Sequence, residues 1–163
     1  MAQLLRGALL IVMEMAQNFT FQKSLRLSVP VEDLRALHHS AEAIPQLTPP
    51  FVQIRVEGDP AIRDGNLQTI KSRVWPTPWQ TWKARISEVG PDGFTDTAEQ
   101  SPFQFFRHRH SFIAHGEGCE LIDAIEFRAP GGWIGNQMAR IVLTLLFAYR
   151  HVVTKRLLTR ARL

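Results

Sequence analysis

The chain has 163 residues, 45% hydrophobic and 21% charged, with ten Gly and ten Pro, a composition that fits one globular domain and excludes collagen-like, disordered and disulfide-stapled classes. Its single cysteine, Cys119, forms no internal disulfide, so a reducing, cytoplasmic setting is expected. Seven of the 19 bases (Arg128, Arg140, Arg150, Lys155, Arg156, Arg160 and Arg162) follow residue 127 with no acid among them, which leaves 12 bases against 15 acids before that point.

Residues 1–17 hold the apolar stretch Gly7 to Met13 but no small-x-small cleavage pattern. They are read as an N-terminal extension outside the fold, with the start codon open to question, and the domain is placed at 18–163. From Phe19 to Val29, Phe19, Phe21, Lys23, Leu25, Leu27 and Val29 alternate with polar neighbours, the signature of a half-buried strand. Pro30 ends it. Val31, Leu34 and Leu37 then recur at helical spacing behind the acids Glu32 and Asp33, which suit a first turn, and a second short helical piece is expected around residues 43–47. Thr48-Pro49-Pro50 leads into a second strand over 51–57.

Five further strands follow in series, over 67–75, 79–89, 94–100, 103–115 and 120–128. Turn residues separate them, including Pro76-Thr77-Pro78, Pro91-Asp92-Gly93 and Gly116-Glu117-Gly118, so the strands form an antiparallel meander. From Ile134 to about Arg160 no proline interrupts, and Val142, Leu145, Leu146, Tyr149, Val152 and Val153 recur at three- and four-residue steps, which predicts one closing helix of about 40 Å. The expected fold class is α+β: a curved seven-stranded antiparallel sheet around a long C-terminal helix, with two short helices between strands 1 and 2. Any space left between sheet and helix is a pocket.

Strand parity selects the residues that face this pocket. Trp82, Ala84 and Ile86 share one face of the fourth strand, and Phe106, His108, His110 and Phe112 share one face of the sixth. Leu121, Asp123, Ile125 and Phe127 do so on the seventh. A hairpin loop centred on Gly116 and Glu117 pairs Phe112 with Leu121, His110 with Asp123, and His108 with Ile125, which brings His110 and Asp123 about 5 Å apart at Cβ. Lys23, on the inner face of strand 1, is expected beside them if strand 1 neighbours strand 7. Such a set is a self-satisfied buried network, a polar anchor for the head of an apolar ligand, or an acid/base pair of His110 and Asp123. His38, His39 and His151 stand isolated, and no spacing resembles a zinc site, so no metal is expected. Trp75, Trp79 and Trp82 cluster on one strand-turn-strand unit, and their number favours an apolar ligand route. Cys119 reads as a structural small residue rather than a nucleophile.

The C-terminal bases complement the dipole of the closing helix or face an anionic membrane peripherally. A nucleic-acid surface would need spread bases with interleaved aromatics, and these are absent. Leu47-Thr48-Pro49-Pro50-Phe51, Trp82-Lys83-Ala84-Arg85-Ile86, His108-Arg109-His110-Ser111-Phe112, Asp123-Ala124-Ile125-Glu126-Phe127 and Phe147-Ala148-Tyr149-Arg150-His151 together resemble bacterial ligand-binding proteins of the SRPBCC superfamily. That START-like group includes polyketide cyclase/dehydrase-like and coenzyme Q-binding proteins. The resemblance implies a helix-grip fold with a deep hydrophobic cavity for a lipid, quinone or polyketide-like molecule, and no cofactor. It adds Tyr149 to His108, His110 and Asp123 as expected cavity residues. A carrier or sensor, a cyclase/dehydratase and a membrane-associated lipid or quinone chaperone are the three functions it allows.

Overall fold

The computed structural model describes residues 18–160, so the expectations for residues 1–17 and for Arg162 lie outside the described residues. Strand β1 (Phe19–Leu27) is followed by helix α1 (Val31–His38), a 3-10 turn (Ala41–Ala43) and strand β2 (Val52–Glu57). Strands β3 (Leu67–Val74), β4 (Gln80–Gly90), β5 (Gly93–Gln100), β6 (Phe105–His115) and β7 (Gly118–Arg128) then run in series to helix α2 (Gly132–Arg160). All seven strands form one antiparallel sheet in the order β1-β7-β6-β5-β4-β3-β2. β1 pairs with β7 from Phe19 opposite Phe127 to Leu27 opposite Cys119, which turns Phe21 toward Phe147 of the closing helix and Leu27 into the core beside α1.

The β6–β7 register follows the central hairpin turn: His110 opposes Asp123, His108 opposes Ile125 and Phe112 opposes Leu121. Lys23 is the direct β1 partner of Asp123. Gly93 sets how closely β5 approaches β6, since a Cβ there would lie 1.8 Å from the backbone oxygen of His110. Any side chain at this position would force the strands apart beside the inward histidines.

The apolar interior divides in two. Leu34, Ile86, Phe112, Cys119, Leu121 and Leu158 pack at the α1 end, and Phe21, Phe106, Ile125, Phe127, Leu143 and Phe147 at the other. Helix α2 crosses both through a stripe of Leu143, Phe147, His151, Thr154 and Leu158. This corrects the helix phase expected from the sequence, since Leu145 and Val152 are exposed and Val142 sits at the cavity rim. The helix is apolar on two sides, and its buried stripe includes two polar residues, so hydrophobic periodicity does not mark the inner face. Ile134, Met138, Ile141, Leu145 and Val152 form an outward apolar row. Among the described residues no helix is long and apolar enough to span a bilayer.

Candidate functional site

A cavity of about 290 Å³ lies between the sheet and α2. Ile54, Ile70, Trp82, Phe103, Phe106 and Leu146 give it apolar walls, while Asp96, His108, His110 and Asp123 reach it from the sheet and Arg150 and His151 from α2. A wider cleft of about 910 Å³ opens to solvent at the β6–β7 turn, lined by residues including Arg26, Glu32 and His115. Chemistry points to the smaller space, because there the ionisable groups are buried and converge.

At its centre is Asp123, 3% exposed. A carboxylate only accepts hydrogen bonds, so the imidazole nitrogens facing it are donors. His108 Nε2–H donates to Oδ1 at 2.9 Å and His151 Nε2–H to Oδ2 at 2.7 Å. His110 Nδ1 lies 3.1 Å from Oδ1, off the axis of a well-formed hydrogen bond. A second carboxylate, Asp96 on β5, faces the other edges of the same rings, with Oδ2 3.3 Å from His110 Nε2 and 3.5 Å from His108 Nδ1. β5 pairing sets this position, since Asp96 is the direct partner of His108. Phe94 stacks on His110 at 4.3 Å between centroids, and Phe147 meets His108 edge-on at 5.2 Å, so both rings are fixed by packing as well as by charge.

Burial divides the protonation states. Burial alone would raise the pKa of Asp123, but hydrogen bonds from His108 and His151 and the close His110 imidazole outweigh it and hold the carboxyl well below the usual carboxylate range. Asp96 is lowered too, burial being overcome by the His110 hydrogen bond and the nearby imidazoles. For His110 burial opposes charging, yet bonds to Asp123 and Asp96 push its pKa up to about 9. His108 goes down, through burial and then the His110 charge. Burial and His110 press His38 down to about 4, and its Nδ1–H donates to the Leu34 carbonyl at 2.9 Å. Burial also lowers Arg150, against the pull of Asp123 and Asp96; a guanidinium nonetheless remains charged.

Of the residues expected from the sequence, Trp82, Phe106, His108, His110 and Asp123 line the cavity. Phe112 packs beside it, against His38 and Phe94. Lys23 and Tyr149 are half-buried and do not line it; Lys23 shares the Asp123 register without an ion pair to it among the described residues. Trp79 lies under Arg55 and Arg73, and Trp75, also near Arg73, is 72% exposed, so Trp82 is the tryptophan of that group that reaches the cavity. Sequence reasoning missed Asp96, Arg150, His38 and His151. Asp96 had a signal, because it shares strand parity with the apolar Phe94 and Ala98. The other three depend on how the helices are rotated, which spacing does not reveal.

No protein-family model and no curated protein sequence matches the chain. Solved structures do. Protein CV1439 from Chromobacterium violaceum superposes with a TM-score of 0.70 at 15% identity, over 85% of this chain and 96% of that one. The di-domain ARO/CYC StfQ from the steffimycin biosynthetic pathway gives 0.69 at 16%, over 90% of this chain and 53% of that one. Norcoclaurine synthase from Thalictrum flavum, in complex with dopamine and hydroxybenzaldehyde, gives 0.63 at 13%, over 88% and 87%. The chain thus has the helix-grip fold, a curled seven-stranded sheet closed by a long C-terminal helix. At 13–16% identity these likenesses show the fold alone and leave the reaction open.

Proposed function

We propose that the protein binds a small, mostly apolar molecule with an oxygen-bearing head, as a carrier or sensor. The observation that carries this reading is the cavity itself: largely apolar walls that include Trp82, Phe103 and Leu146, with His110 and Arg150 as cations beside buried carboxylates. Its volume is at the small end of the roughly 300–1,000 Å³ typical of ligand pockets. That favours a compact quinone or polyketide-like ring system over a two-chain lipid. The apolar body would lie against Trp82, Phe103 and Leu146, with the head toward Arg150.

A panel of quinones, aromatic polyketides and fatty acids, followed by thermal unfolding, tests it. A true ligand at one hundred times its Kd stabilises by about 2.7 kcal/mol, which raises Tm by several degrees in a domain of this size. Native mass spectrometry of protein purified from its source should show a bound small molecule. No shift across the panel together with an empty native spectrum refutes the carrier reading.

A cyclase or dehydratase activity is the second reading, favoured by two histidines whose environments drive their pKa values apart, His110 up to about 9 and His38 down to about 4. Groups separated in this way act as acid and base, with Asp123 orienting His110. Turnover of a polyketide-like substrate that falls about 10²–10⁴-fold in His110→Ala, with near-UV circular dichroism retained, would establish it. Binding without turnover in the unaltered protein leaves the carrier function.

A further inference from the structure

We propose that Asp96, His108 and His110 form a binding site for a first-row divalent cation, open on its cavity side to an oxygen ligand. The donor atoms Asp96 Oδ2, His108 Nδ1 and His110 Nε2 all lie within 4.8 Å of one another. Asp96 Oδ2 is 3.5 Å from the first nitrogen and 3.3 Å from the second. Tetrahedral coordination with bonds of about 2.0–2.2 Å requires donor separations of about 3.3–3.6 Å, so two of the three edges already have the right length.

The far edges of the rings complete the pattern. Histidines that hold a metal usually donate their other N–H to a carboxylate, which fixes the tautomer and ring plane. Asp123 Oδ1 faces the non-ligating nitrogen of both, 2.9 Å from His108 Nε2 and 3.1 Å from His110 Nδ1. The two rings present opposite nitrogens to Asp96, and an ion shared between them would displace the Nε2 proton that His110 shares with Asp96 in the metal-free protein. With its Nε2 proton directed to Asp123, a neutral His108 turns an Nδ1 lone pair toward the Asp96 carboxylate in a buried site. A cation between two such lone pairs relieves their repulsion.

All three donors stand on adjacent strands of a rigid sheet and line the cavity, so the open coordination position faces the enclosed space. Arg150 reaches the same cavity, with its Nε buried and without a partner. Its charge favours an anionic oxygen, such as an enolate, phenolate or carboxylate, as the fourth ligand. The His/His/Asp donor set suits borderline ions such as Zn²⁺.

Isothermal titration of chelator-stripped full-length protein with Zn²⁺ alone, at neutral pH, tests the site independently of any organic ligand. One saturable equivalent per chain is expected, weakened about 100-fold or more in Asp96→Asn and about 10–100-fold in Asp123→Asn, and unchanged in His115→Gln. Histidine ¹⁵N spectra of the unaltered protein give a readout that does not depend on variants folding. Zn²⁺ should move His108 Nδ1 and His110 Nε2 far more than any other ring nitrogen. Acetohydroxamate, an oxygen chelator, should then alter the visible spectrum of the Co²⁺-loaded protein. Absence of saturable binding, an unchanged affinity in folded Asp96→Asn, or ¹⁵N shifts confined to other histidines overturns the metal site. A Co²⁺ spectrum unmoved by the hydroxamate overturns its open position.

Discussion

Asp123→Ala is expected to lower the free energy of unfolding by about 3–5 kcal/mol, the range for removing one member of a buried, hydrogen-bonded charge cluster. The reason is the number of groups it serves. His108 and His151 donate to it at 2.9 and 2.7 Å, and His110 faces it at 3.1 Å, while Asp123 itself is 3% exposed. Truncation leaves the protonated His110 with Asp96 alone and strands two N–H groups away from water. Asp123→Asn keeps an acceptor oxygen without the charge and should cost less. Urea unfolding with an unchanged m-value is the measurement. A loss under 1 kcal/mol in Asp123→Ala would mean that the imidazoles find other partners and that the cluster does not organise the interior.

Stability of the metal-free protein should form a dome in pH with its crest near 6.5–7. His110 is raised from an ordinary value of 6.5 to about 9, so its contribution is complete below 6.5 and is lost as pH climbs through 9. His38 is depressed to about 4. The unfolded chain therefore takes up a proton that the folded chain refuses, and stability falls as pH drops from 6.5 toward 4. His108, also lowered, steepens this acid limb. Asp96 and Asp123, both held below the usual carboxylate range, extend it to lower pH as they are forced to protonate. The titratable and charged groups around His110 come from five elements: His38 on α1, Asp96 on β5, His108 on β6, Asp123 on β7, and Arg150 and His151 on α2. A shift of two to three units at 1.36 kcal/mol per unit makes His110 and His38 each worth about 3 kcal/mol. Urea midpoints at pH 5, 7 and 9 in the presence of a chelator test this. A profile flat from 5 to 9 would mean that neither histidine is shifted in the folded state.

What the sequence by itself determined is the scaffold and one pair within the site. Alternation and turn residues locate all seven strands, because a half-buried strand must alternate and a hairpin must turn where Gly or Pro permits. The Gly116-Glu117 loop then sets the β6–β7 register, and with it the juxtaposition of His110 and Asp123. Only the tertiary structure decided the rest of the cluster. Asp96 reaches His108 through strand pairing across 12 positions, which no ligand-spacing rule on a single element detects. His151 and Arg150 arrive through the rotation of α2, a helix apolar on two sides whose inner stripe runs through His151 and Thr154. Its phase is set by Phe147 packing on Phe21 and His108, and by Asp123 accepting from His151. These interactions exist only once the sheet has curled around the helix. Local patterning encodes which residues share a face, but which faces meet is decided by packing that joins residues far apart in the chain.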